Sequence, residues 1–473
     1  MKSMEQTITT ARISLDAMPL HRDVRLPVDY SGRLIAESVL RRLFTENDVP
    51  TQGCAVGAEM FDGGRRWRIA LDTDLRWSDG NPLRAEDVVE AADHALTSRS
   101  NSAALFLGDT AAGNDVPVRA LRADTVEFRF GRPVAFAPAL LSLPAFAPLR
   151  RGPDGVGAPA LGDYTVADWD TDAVVLDRRP ELRHADALDS LRFEHVPLAA
   201  EAVRLFRSGE LDATSPTGFG VAEVTELTAH PGAVRQPVDI FGSLDLGRRA
   251  PRPWLRSAAA RRGVSAVLDR ARLETVTAGL AEPWRWPSIE ALGEGAPDAT
   301  PSEEGAEPEE GAQRRAGEVG PIEIAYSAFD PNAEIAEEVA AQLRAALGAE
   351  VVTRQLSFDA YVKASATRDF CLLYSLTTPA FSHPAGSLSD WRSTGRAARR
   401  SGLADPVLDA ALDAAESCPE PGEAARLWAR ASDRWCALLP KIPLVRVRAW
   451  YLRGRRLSGL TVSRAGLMCL GAG

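Results

Sequence analysis

Two hydrophobic periods run along this chain. Near the start, "TTARISL" (residues 9–15) alternates apolar and polar positions and predicts a short strand. In "SGRLIAESVLRRLF" the spacing changes. Leu34, Ile35, Val39, Leu40 and Leu43 recur at helical intervals and predict one amphipathic helix over 31–44. The two-residue period returns at Trp67, Ile69 and Leu71, a half-buried strand. Ser78-Asp79-Gly80-Asn81-Pro82 is a dense turn signal. Beyond it Val88, Val89, Ala92 and Leu96 form a helical face. Arg84 stands where a capping residue is expected and is a poor cap, while Glu86 and Asp87 suit the positive start of a helix.

The same reasoning predicts a strand over Asp124–Phe130 and two strands within Asp163–Arg179, joined by the Asp170-Thr171-Asp172 turn. "EAVRLFRSGELDA" is a helix stopped by Gly209. "FGSLDLG" (241–247) is a short apolar strand, and "LRSAAARRGVSAVLDRARLETV" (255–276) a long helix. From residue 322 the order is strand, helix, strand, strand: "IEIAYS", "NAEIAEEVAAQLRAAL", "EVVTRQL", "DFCLLYSL". That alternation predicts a mixed α/β lobe. Two helices follow around 406–415 and 423–439, and "IPLVRVRAWYLR" closes the chain as a strand.

Residues 293–320, "GEGAPDATPSEEGAEPEEGAQRRAGEVG", have no such period. They carry almost no large apolar side chain and a run of glutamates. Too little surface is available for burial to offset the entropy of ordering, so a solvated, disordered insert is expected, with an acidic partner-binding segment as the alternative.

Composition narrows the function. At 473 residues the chain exceeds one core, and two or three domains are expected. A net charge of -10 argues against nucleic-acid binding, which needs a basic face. The lysines are Lys2, Lys363 and Lys441, and the other basic side chains are arginine, the signature of a high-GC coding bias. Cys54, Cys371, Cys418, Cys436 and Cys469 show no metal-ligand spacing and are expected as free, mostly buried thiols of a reducing compartment. No apolar run approaches the roughly 20 residues of a membrane span. The opening "MKSMEQTITTARISL" carries no apolar export core and no lipid-anchoring cysteine, so the chain as written is expected in the cytosol; a start further upstream would instead place it outside the cytoplasm.

Catalytic patterns are missing from the spacing. There is no GxSxG, no GxxxxGK[ST] and no HExxH. His21, His94, His184, His195, His230 and His383 lie far apart, without a cysteine or carboxylate at ligand spacing. Each is expected to be structural, and no metal or cofactor is called for; a catalytic site assembled from distant residues stays open.

One long stretch carries a resemblance. "RRWRIALDTDLRWSDGNPLRAEDVVEA" joins a strand to Trp77-Ser78-Asp79-Gly80, Pro82-Leu83, Ala85 and Asp87-Val88. It resembles the signature of the family 5 extracellular solute-binding proteins, the dipeptide and oligopeptide receptors of ABC importers. "GDYTVADWDTDAVVLDRRPE", "LFRSGELDA", Val267-Leu268-Asp269-Arg270, "GLADPVLDAALDAA" and "LLPKIPLVRVRAWYL" are similar to later family segments, in order. The resemblance implies a periplasmic-binding-protein-like α/β fold (class II, cluster C): two mixed α/β lobes, a hinge, an extra subdomain, and a ligand enclosed between the lobes. Its division here would be lobe I at 1–30, 160–243 and 440–473, the extra subdomain at 31–159, and lobe II at 244–439. In such proteins the WSDG stretch is scaffold.

The implied partners are a small organic or peptide-like ligand and, for an exported chain, an ABC permease, with the protein itself a monomer. The family's peptide receptors commonly place an acid in a "G-W-x-x-D-x-x-D-P" loop to pair with a peptide's ammonium. The matching "YSLTTPAFSHP" (374–384) has Thr377-Thr378-Pro379 there. An ammonium enclosed without a counter-charge is disfavoured, so a free-amine peptide is a doubtful ligand. Candidate pocket residues are Tyr30, Asp245, Thr377, Thr378, Phe381, His383 and Trp391, with Asp390 as the rival acid that a shifted loop would bring in. Three functions remain: a ligand-binding receptor, an intracellular enzyme on the same scaffold that cyclises or otherwise converts its substrate, and an intracellular sensor.

Deletion of 293–320 is expected to leave the melting temperature within a few degrees of the intact chain. A larger loss would show that the segment packs.

Overall fold

The computed structural model describes residues 10–25, 29–45, 53–97, 106, 117–148, 150, 156–183, 188–250, 257–285, 321–464, 466 and 468–470. The 293–320 insert and His184 lie outside them. Three larger sheets and a hairpin organise these residues. The first sheet has the order β1 (Thr10–Leu15), β8 (Ser190–His195), β7 (Ala173–Arg178), β6 (Tyr164–Trp169), with β1 parallel to β8. The β6–β7 turn is fixed by Asp170, whose Oδ1 accepts from the backbone N–H groups of Asp172 and Ala173, both at 2.7 Å. A second sheet, β2 (Ala55–Phe61), β3 (Arg66–Leu71), β5 (Thr125–Arg129), β4 (Val118–Arg122), is antiparallel throughout. The third is six-stranded and mixed: β10 (Ala281–Pro283), β14 (Ile442–Leu452), β9 (Ala233–Leu246), β13 (Leu372–Thr377), β11 (Ile322–Ser327), β12 (Val351–Leu356). Its β11, β12 and β13 are parallel, as the strand–helix alternation predicts. The hairpin is β15 (Leu460–Val462) with β16 (Met468–Leu470).

Three expectations need correction. Helix α1 (Tyr30–Val39) stops five residues short of the predicted end, because Leu40 is extended. Leu40 packs in one core and Leu43 in another, so the apolar spacing across 40–43 records two surfaces rather than one helical face. The long helix predicted over 255–276 is two, Ala258–Ala266 and Arg270–Val276. Asp269 caps the second by accepting from the N–H groups of Ala271 and Arg272. The short strand at 241–247 is the second half of the fourteen-residue β9.

The WSDG stretch has a physical role in its neighbourhood. Helix α2 (Ala85–Thr97) begins without a capping side chain at Arg84, and Asp87 reaches back instead. Its Oδ2 accepts from the Arg84 N–H at 2.9 Å and from the Trp77 indole at 3.2 Å. Trp77 is fully buried. Ser78 donates its N–H to Ala160 and accepts the Ala160 N–H on its hydroxyl, tying this turn to the chain entering β6.

The core of the antiparallel sheet is continuous with that of the six-stranded sheet. Phe136 stacks on His383 at 4.7 Å and on Phe381 at 6.1 Å, while Trp428 meets both Phe136 and His383 edge-on. Buried Glu416 supports the same seam: it accepts from Ser389 and Arg392 and pairs with Arg132 at 3.0 Å. One face of the six-stranded sheet packs against helices through Leu244, Leu372, Ile442 and Leu444 with Leu273, Ile335 and Val339.

Burial holds the His383 imidazole neutral, its pKa pushed down to about 4. Its Nδ1 accepts the Ala385 N–H at 3.1 Å, which leaves the other nitrogen protonated. A depressed histidine contributes stability that is complete above its unfolded value of 6.5 and is lost as pH falls toward 4, because there only the unfolded chain takes up the proton. The loss is on the order of 3 kcal/mol. Urea unfolding between about pH 7 and about pH 4 should therefore fall more steeply for the wild type than for His383→Phe. Parallel pH profiles would contradict this.

Candidate functional site

Alternation along a strand sends successive side chains to opposite faces. In β9, Leu244 joins the helix-covered core while Phe241, Ser243 and Asp245 take the other face. In β13, opposite them in register, Leu373, Ser375 and Thr377 share it. Toward β11 and β12 this face is apolar too, with Leu373 packed against Ala325, Leu356 and the helix Phe358–Thr367; its other end is polar at Ser243, Asp245, Ser375 and Thr377, and that end is the candidate site.

Its charged centre is Lys441, the residue before β14. The Lys441 ammonium lies 3.0 Å from the Asp245 carboxylate and donates to the Thr377 hydroxyl, also at 3.0 Å. Tyr361, on the helix Phe358–Thr367, flanks the group; burial, and then the charge of Asp245, push its phenol up to about 12. Ser243 and Ser375 sit beside the cluster, 6% and 7% exposed. The Ser375 hydroxyl has no hydrogen-bond partner among the described residues.

A second group lies where the sheet leaves this core. Val238 and Ile240 of β9, with Ala449 and Tyr451 of β14, belong to the core of the first sheet; Leu244, Ile442, Leu444 and Val445 belong to that of the six-stranded sheet. The two strands therefore pass from one core to the other, and register shifts mark the passage on both sides of Arg446. There Arg446 and Asp239, 2% and 3% exposed, pair at 2.8 Å. Arg446 also donates to the Val238 carbonyl, approaches Glu282 at 3.5 Å and lies over the Trp284 ring, which stacks on Phe241.

Loops beside the first sheet carry a further polar group. Asp16, just after β1, accepts from the Ser215 and Thr217 hydroxyls at 3.1 Å each. Further along, a Cβ placed on Gly220 would lie 2.8 Å from an Asp330 carboxylate oxygen and 3.0 Å from one of Glu223. The two carboxylates thus flank one point, where the chain after β11 meets the loop after Ala213. Burial, and then Glu223, raise the Asp330 pKa.

The sequence-derived candidates fall into separate places. Asp245 and Thr377 come together through Lys441. Thr378 is exposed nearby in sequence. Phe381 and His383 pack in the aromatic seam with Phe136. Trp391 meets Trp435 edge-on in the core. Asp390 accepts the Arg396 N–H at 2.8 Å and starts the short helix there. Tyr30 opens α1 and lies against Gly466 of the C-terminal hairpin region. Sequence reasoning missed Lys441, Ser375, Arg446 and Trp284. The one available signal was Lys441's rarity among arginines.

Elsewhere, a groove of about 380 Å³ runs beside β8, lined by Arg192, Glu194, His195, Pro197, Leu198 and Glu201 among others, apart from the polar face. Among the described residues no group of histidine, cysteine and carboxylate side chains could hold a metal ion, and no helix is long and apolar enough to cross a membrane. Cys54, Cys371, Cys418 and Cys436 are free thiols, the first two buried.

Similarity to known proteins agrees with this architecture. Over 348 residues, 66% of the chain, it is 22% identical to the probable deoxycholate-binding periplasmic protein YgiS of Escherichia coli K12. Over 187 residues, 33% of the chain, it is 26% identical to that organism's periplasmic oligopeptide-binding protein OppA. The matched stretches span 64% and 34% of those relatives' lengths. The fold superposes on OppA of Burkholderia pseudomallei with a TM-score of 0.79 at 17% identity, covering 98% of this chain and 100% of the other. The fold is therefore periplasmic-binding-protein-like. Residues 35–399 match the family model for bacterial extracellular solute-binding proteins, family 5 middle, and the chain belongs to that family.

Proposed function

We propose that this solute-binding protein encloses a small organic or peptide-like ligand against the polar face of the six-stranded sheet, opposite the loops carrying Asp16, Thr217 and Gly220. The observation that carries this reading is the passage of β9 and β14 from one core to the other. Two strands joining two cores form a natural hinge, and the Lys441, Asp245 and Thr377 cluster lies beside it. In open α/β sheets, ligands settle at the carboxyl ends of parallel strands, which here are the ends of β11 and β13 next to Asp330 and Thr377.

In this proposal lobe I is 1–30, 160–243 and 440–473, lobe II is 244–439, and 31–159 is a subdomain that meets lobe II at the Phe136–His383 seam, while Leu34, Ile35, Val39 and Leu40 at its start pack in the core of lobe I. The pocket would draw on Asp245 and Thr377 from the sequence-derived set, with Lys441, Ser375, Phe241 and Trp284 added. Phe381, His383 and Trp391 would support the lobe from behind. Delivery of the ligand to an ABC permease, and a place outside the cytoplasm, follow from the family and belong to the same proposal. The two relatives bear different ligand names, a bile acid and oligopeptides, so membership alone leaves the ligand class open.

Both classes are testable on the purified chain. Titration with deoxycholate and with a mixed tri- to pentapeptide library, followed by thermal melting and small-angle scattering, should give one class that raises the melting temperature and shrinks the radius of gyration. Ligand at about 100 times its Kd stabilises by about 2.7 kcal/mol through mass action. A melting curve and a radius unchanged by every ligand would contradict the proposal.

A further inference from the structure

Resting on the solute-binding reading above, we propose that Lys441, Thr377 and Ser375 form an acid-recognition subsite, so that the bound solute carries a carboxylate and Lys441 is the cation that meets it.

The argument begins with donors and charges. A lysine ammonium has three N–H donors. The Thr377 hydroxyl accepts one of them at 3.0 Å; the Asp245 carboxylate oxygen, also 3.0 Å away, is an ion-pair partner that takes no hydrogen bond among the described residues, so two donors are left for a further acceptor. Asp245 is a single carboxylate, and Arg368 as well as Lys441 stands within its electrostatic reach. Arg248 and Arg400 stand near Arg368 in turn. An incoming ammonium would have to approach Asp245 beside two cations, Lys441 and Arg368, that already face it. An incoming carboxylate adds the missing negative charge.

Ser375 supplies the second, independent observation. Its side chain is more than nine-tenths buried, and its hydroxyl has no partner among the described residues. It lies on the same face as Thr377, two residues away, and opposite Ser243 in register. A buried hydroxyl without a partner costs stability, and a ligand oxygen on this face would satisfy it. Composition agrees. Lys441 is one of three lysines in a chain whose lysines and arginines together number 55. A lysine presents a compact point charge rather than a planar fork to a carboxylate.

The test uses the full chain and matched probes on two scaffolds: N-acetyl-trialanine and decanoate, each as free acid and as primary amide, plus trialanine amide as the amine-only member. Calorimetry should show the acids binding about tenfold more tightly than their amides, the gain of one charge-assisted hydrogen bond. Lys441→Gln should erase that preference, bringing each acid and its amide to the same affinity. Ser375→Ala should weaken binding of the acids with a melting temperature equal to or above that of the wild type, which a purely structural serine would not do. Equal binding of acids and amides, preference for the amine-only probe, or an acid preference that survives Lys441→Gln would overturn the subsite and leave the solute-binding reading standing. Binding of none of the probes, to a chain that also ignores deoxycholate and the peptide library, would overturn both.

Discussion

The ion pair between Arg446 and Asp239 is the constraint on which the two halves of this molecule depend. Both side chains are almost fully removed from water. Each charge alone would carry a desolvation penalty of several kcal/mol, so neither strand can shift register without exposing or orphaning its partner. The guanidinium spreads its donors over the Asp239 carboxylate and the Val238 carbonyl, and its face over Trp284. The strands that carry the pair, β9 and β14, serve two cores at once. Irregular pairing lies on both sides of the arginine, and regular pairing resumes beyond it. The pair thus ties the two strands together at the level where their pairing is irregular.

The polar face next to this junction follows from the same geometry. Strand alternation gives one face to Leu244 and Leu372 and sends Ser243, Asp245, Ser375 and Thr377 to the other, where Leu373 and the helix Phe358–Thr367 close one end and leave the polar end to this group. Lys441 enters that face because β14 begins beside the end of β9. The aromatic residues of the 374–384 loop face elsewhere. Phe381 and His383 bind the antiparallel sheet to the six-stranded one, so this loop's rings contribute cohesion and its threonine end contributes polarity.

Much of the fold was legible in the sequence. Trp67, Ile69 and Leu71 alternate and form β3; Val88 and Ala92 share a helical face and form α2; Asp170 closes the β6–β7 turn. Failures came where local pattern and tertiary use diverge. The first half of β9 hides behind Arg235, Gln236 and Pro237, a run too polar to suggest a strand, yet it pairs with β14 through Leu452. The break at Asp269 was signalled by its capping chemistry but masked by apolar residues on both sides. In the site, Phe381 and Trp391 illustrate a limit of composition: a buried ring looks the same in sequence whether it fills a core or faces a ligand. Lys441 and Arg446 lie in an alternating strand region, and nothing in that alternation tells which basic side chain turns inward. Only the pairing of β14 with β9 decides it.

A double-mutant cycle on Asp239→Asn and Arg446→Met, measured by urea unfolding, tests the junction most directly. Each single change leaves a buried group without its partner and is expected to cost about 3–5 kcal/mol, while the double variant recovers a large part of that loss. Coupling of about 2 kcal/mol or more would support the pair as the pin between the two cores. Small single effects that simply add would contradict it.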